Sequence, residues 1–87
     1  MGSRFWQGWI PDEPTTLYTR WLETGVVPFG KTTTPELGIP AITEAEVNGP
    51  TRNPWNQDRT SGGSSGGSGV VVSTRVVPMA SGGDGGG

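Results

Sequence analysis

Residues 60–79 read Thr60-Ser61-Gly62-Gly63-Ser64-Ser65-Gly66-Gly67-Ser68-Gly69, then Val70-Val71-Val72-Ser73-Thr74-Arg75-Val76-Val77-Pro78-Met79. The first half admits two readings. Gly and Ser barely restrain the backbone, so such a run serves as a flexible linker. The same residues offer free amide N–H groups on a permissive chain and can cradle an anion. A phosphate-binding P-loop is excluded, because no lysine follows the glycines. Taken as an isolated string, the linker reading is favoured. The second half is rich in β-branched valine, and by propensity alone it reads as a strand.

Downstream, the sequence closes with Ala80, Ser81, Gly82, Gly83, Asp84, Gly85, Gly86 and Gly87. One Asp does not make a calcium loop, which needs several oxygen ligands at fixed intervals. The amides of Gly85, Gly86 and Gly87 can instead converge on an oxyanion, since no side chain blocks approach. Upstream stands Lys31, the only lysine, between Gly30 and the threonines Thr32, Thr33 and Thr34. A solvated surface lysine is the ordinary reading. A lysine held in a dry site is the alternative, because burial disfavours the ammonium and makes the amine a proton acceptor.

Further out, Asp12 or Glu13 can stand near an N-cap, and Pro14 suits a first helical turn. Leu17, Tyr18, Trp21 and Leu22 recur at helical spacing, and Gly25 can stop the helix in the left-handed conformation. A helix is expected over residues 14–24. Residues 26–29 form a short apolar run fit for one buried strand, so that helix, glycine and strand look like half of an α/β crossover unit. Residues 32–58, rich in Pro, Thr, Asn and Gly, read as an ordered excursion or a long loop. The first eleven residues read as loop or short extended structure, and Trp6, Trp9 and Trp55 are expected to be packing groups.

Composition limits the chemistry. The 87 residues make at most one small domain, and with 30% hydrophobic residues, 16 Gly and 8 Pro they resemble a poorly folding segment. The net charge of −2 and six scattered cations argue against nucleic-acid binding. Without Cys or His there is no thiol nucleophile, no Ser-His-Asp triad and no ordinary transition-metal site. No apolar run approaches a membrane span, and no secretory signal pattern opens the sequence, so a cytoplasmic location is expected. Hydrolytic chemistry would have to use Ser, Thr, Lys, carboxylates or backbone amides.

Three blocks occur in order: GKTTTPELG at 30–38, GPTRNPWNQDRTSGGSSGGSG at 49–69, and VVPMASGGDGGG at 76–87. Together they resemble the amidase signature family. The resemblance implies an α/β chain, a partial amidase signature domain over residues 1–87. It would be truncated at both ends and drawn from a large mixed sheet flanked by helices. Such a piece is not expected to be stable by itself. The resemblance also places a helix after the Gly-Ser run, despite the valines.

Carried over by motif, Lys31 falls on the family's catalytic lysine and Ser64 on its serine preceded by a cis peptide bond. Ser65 and Asp84 fall on residues that support the site, and Gly85, Gly86 and Gly87 on the oxyanion loop. The nucleophilic serine is expected at the position following Gly87. Three departures stand out. Gly83 replaces a Thr or Ser common before the Asp, Ser61 stands where Pro is frequent, and residues 70–72 replace an Ala-rich helical opening.

The implied function is hydrolysis of a carboxylic amide C–N bond, with a small-molecule amide as substrate and no metal or organic cofactor. In the family's scheme a neutral Lys31 draws a proton from Ser64, which takes one from the nucleophile. The full-length enzyme could form a homo-oligomer, while the 87-residue chain alone is expected to be inactive. Two alternatives stay open: an ammonia-releasing component of an amidotransferase with the same signature, and a non-catalytic Gly-rich remnant.

Overall fold

Pro14 disfavours helical backbone at Glu13, so the first long helix cannot begin at the acids. The computed structural model, which describes residues 2–83 and 85, starts helix α1 at Thr16 and runs it over Thr16–Glu23. Thr15 is its N-cap, with Oγ1 accepting from the Tyr18 N–H at 3.2 Å. Asp12 and Glu13 lie outside it. Gly25 adopts φ +85° after the C-cap, and its N–H bonds the Leu22 carbonyl at 3.0 Å.

The strand expected at residues 26–29 is absent. A strand needs a neighbour for its backbone groups, and among the described residues no segment pairs with this one. Val27 and Phe29 are instead 83% and 81% exposed.

The excursion at 32–58 is ordered. A short 3-10 turn at Glu36–Gly38 leads to a hairpin of β1 (Glu44–Ala45) and β2 (Gly49–Pro50). A second antiparallel pair joins β3 (Arg52–Asn53) to β4 (Asn56–Thr60), with a register shift between Arg52 and Asn53. Asn53 closes that hairpin by accepting the Trp55 N–H on Oδ1 at 2.9 Å, an Asx turn. Thr51 ties the neighbouring segments together. Its N–H bonds the Thr43 carbonyl at 2.8 Å, and its carbonyl accepts from the Ser61 N–H at 3.1 Å.

The valine run is helical. Helix α2 spans Gly66–Ser73, so it begins inside the Gly-Ser run and takes in Val70, Val71 and Val72. It ends in a Schellman motif: the Val76 N–H reaches the Val71 carbonyl at 2.9 Å and the Arg75 N–H the Val72 carbonyl at 3.0 Å. Propensity loses here to packing, since Gly66, Gly67 and Ser68 in the first turn are buried against other segments.

Ala45 is the one buried hydrophobic side chain among the described residues, apart from the buried Pro35. The rest of the interior is hydroxyl and glycine: Ser3, Thr43, Ser68, Gly66 and Gly67. No buried side-chain nitrogen or oxygen among the described residues lacks a partner. The tryptophans do not pack inward as expected. Trp55 is 76% exposed and Trp9 60%, while Trp6 meets Phe5 and Trp9 edge-on at 5.0 and 5.4 Å. The result is a small α/β assembly of helices and antiparallel hairpins. Among the described residues, no helix is long and apolar enough to cross a membrane.

Candidate active site

The first turn of α2 is the meeting point of three segments distant in sequence. From the lysine-bearing block, Thr32 Oγ1 and Ser68 Oγ lie 2.8 Å apart in a hydroxyl–hydroxyl bond. Thr33 packs beside it so closely that a Cβ on Gly67 would meet the Thr33 backbone. Thr33 Oγ1 in turn bonds Thr51 Oγ1 at 2.7 Å. The segment that carries Lys31 is thus fixed to the helix start and to the hairpins at once.

The second segment is the turn before the helix. Gly62 takes φ +77°, and the Gly63–Ser64 peptide bond is cis, as the resemblance expects before this serine. Ser64 and Ser65 are both half-buried. Beneath the turn lies Thr43, 1% exposed. Its Oγ1 donates to the Gly62 carbonyl at 2.9 Å and accepts from the Gly66 N–H at 3.1 Å.

The third segment is the Gly-rich tail. Ser65 Oγ accepts from the Gly83 N–H at 2.9 Å and donates to the Gly83 carbonyl at 3.3 Å. One hydroxyl thereby seats the tail on the start of α2. Gly85 is exposed and has open space where a Cβ would stand. Asp84, Gly86 and Gly87 lie outside the described residues.

Lys31 itself is exposed and lines an open pocket with Gly2, Thr32, Thr33, Thr34 and Asn48. Ser64 does not line that pocket, and among the described residues no hydrogen bond joins the two side chains. The structure therefore brings the lysine segment to the serine turn without joining the amine to the hydroxyl. Among the described residues the ion pairs lie elsewhere, at Arg4–Glu46 (3.4 Å, largely exposed) and Arg52–Glu44 (3.7 Å, partly exposed). Among the described residues, no group of three or more His, Cys, Asp or Glu is placed to hold a metal.

Sequence reasoning missed Thr43, Thr51 and Ser68. Thr43 belongs to no quoted motif, and a lone Thr between Ile42 and Glu44 gives no sign that its hydroxyl is used twice.

The Amidase family profile matches residues 1–87, and the chain belongs to that family. It is 43% identical over 86 residues to the A-subunit of glutamyl-tRNA(Gln) amidotransferase from Acidothermus cellulolyticus, covering 99% of this chain and 17% of that protein. The protein of the same name from Sulfurisphaera tokodaii is 41% identical over 85 residues, 98% of this chain and 18% of that one. AmiC of Mycobacterium tuberculosis, named provisionally as an amidase, is 43% identical over 86 residues, 99% of this chain and 18% of AmiC. The chain thus spans less than a fifth of the length of these curated relatives. No solved structure matches it.

Proposed function

We propose that this chain supplies the proton-relay part of an amide hydrolase, which acts on a carboxylic amide C–N bond through an acyl-enzyme. The observation that carries the reading is the convergence on the first turn of α2. Thr32 bonded to Ser68, the cis Gly63–Ser64 turn and Ser65 bonded to Gly83 gather the three family blocks at one place.

An amide resists attack, so the attacking hydroxyl must lose its proton as it adds to the carbonyl. The Lys31 amine takes a proton from Ser64, and Ser64 takes one from a nucleophilic serine following Gly87 in the longer polypeptide. The amides of Gly85, Gly86 and Gly87 receive the negative charge of the tetrahedral intermediate, where one well-placed donor is worth about 3–4 kcal/mol. The relay then returns the proton to the leaving amine, and water releases the acyl group. Ser65 and Asp84 hold the loop in place. Lys31 works as a base only if shielded from water, and the parts of a full-length protein outside this segment would supply that cover. By itself the 87-residue chain is inactive.

In a full-length protein carrying this segment, Lys31→Ala and Ser64→Ala should each lower amide hydrolysis by at least about a hundredfold, the usual contribution of a positioned proton-transfer group. Near-wild-type rates in both variants would refute the assignment. A second reading is favoured by the amidotransferase names among the relatives. There the same relay would release ammonia for transfer by partner proteins. Both readings require the same residues, and they separate on whether ammonia is set free or passed to an acceptor.

A further inference from the structure

We infer that Thr43 is a positioning residue for Ser64, a clamp that fixes the serine turn from across the chain. The inference rests on the relay proposed above and adds a residue that it does not contain. A threonine hydroxyl has one proton to give and lone pairs to accept with. Thr43 uses both functions, donating to the Gly62 carbonyl and accepting from the Gly66 N–H. Those two groups bracket residues 63–65, so a single side chain grips both ends of the turn.

The Gly66 N–H belongs to the first turn of α2, where amides have no partner within the helix. Ser65, the N-cap, makes no side-chain capping bond. Thr43 therefore caps the helix from outside it. The clamp has little slack. Cβ atoms built on Gly63 and Gly66 would both press on Thr43 Oγ1, so the turn's backbone lies directly against this side chain. Thr43 is anchored in turn, with its carbonyl accepting the Thr51 N–H at 2.8 Å. The Thr51 carbonyl accepts the Ser61 N–H, which closes the ring back to the turn. Removing the hydroxyl leaves the buried Gly66 amide without this partner and the Gly62 carbonyl with only the longer bond from Ser61 Oγ at 3.3 Å, and the turn must move to satisfy them.

The test uses the full-length protein with a simple aliphatic amide as substrate. Thr43→Val keeps the shape without the hydroxyl and should lower kcat by about tenfold or more while leaving KM within about twofold. Thr43→Ser keeps the hydroxyl and should restore kcat to within about threefold of wild type. In a Ser64→Ala background, adding Thr43→Val should change the residual rate by no more than about twofold, because a residue that acts through Ser64 has nothing left to position. Should Thr43→Val fail to fold, Thr43→Cys replaces it, since a thiol is close in size and a weak hydrogen-bonding group. Its kcat should fall well below that of Thr43→Ser.

Wild-type kcat in Thr43→Val, or Thr43→Cys as fast as Thr43→Ser, would overturn the inference. So would an undiminished Thr43→Val effect in the Ser64→Ala background, the mark of a merely structural role. An unimpaired Ser64→Ala enzyme would instead overturn the relay reading, and the inference with it. An inactive Ser64→Ala enzyme beside a fully active Thr43→Val enzyme would remove the inference alone.

Discussion

At Gly67 a methyl group would fall on the backbone nitrogen and oxygen of Thr33, whereas two residues later, at Gly69, it would meet open space. Both glycines lie in α2. Gly67→Ala in a full-length protein should therefore cost about 1–3 kcal/mol, the usual penalty for overpacking. Gly69→Ala should stabilise it by about 0.5–1 kcal/mol, because alanine gives up less conformational freedom in a helix than glycine does. Paired thermal melts read both signs, and equal effects would contradict this account of the packing. The sequence shows the same letter at both places. Composition alone cannot separate a glycine required by contact from one that is merely tolerated, which is why the run reads so readily as a linker. Lys31 and Ser64 stand out as candidates only through the family pattern around them. Thr43 was not legible at all, because its role depends on a turn nearly twenty residues away.

Helix α1 was readable from the spacing of Leu17, Tyr18, Trp21 and Leu22 and from Gly25, although Thr15 and not an acid caps it. Residues 26–29 misled, because an apolar run shows what a strand looks like and says nothing about whether a neighbour pairs with it. By propensity the valine run also favours a strand, and the helix expected there comes from the resemblance alone; glycine contacts at the first turn and a Schellman motif at the last hold that helix. That motif places Arg75 at φ +60°, a conformation in which a Cβ is costly. Arg75→Gly should raise stability by about 1 kcal/mol, read as a higher denaturant midpoint at unchanged slope. A lower midpoint would mean that the Arg75 side chain contributes more than its backbone costs.

For the whole molecule, surface is the deciding quantity. The chain exposes 6855 Å², where a folded monomer of 9.1 kDa would expose about 4,900 Å². Leu17, Val27, Phe29, Ile39 and Trp55 are among the large apolar side chains left in water. With Ala45 and Pro35 as the buried apolar residues among those described, hydrophobic burial is too small to offset the entropy of ordering the chain. The isolated 87-residue chain should accordingly show no cooperative transition on heating, followed by circular dichroism. A sharp transition would show that hydroxyl bonding and glycine packing suffice without a covering layer.

The proposed exchange of protons between Lys31 and Ser64 is tested most directly by a crystal structure of a full-length protein carrying this segment. The relay requires Lys31 Nζ buried and roughly 2.7–3.2 Å from Ser64 Oγ. An amine still in solvent and far from that hydroxyl would contradict it.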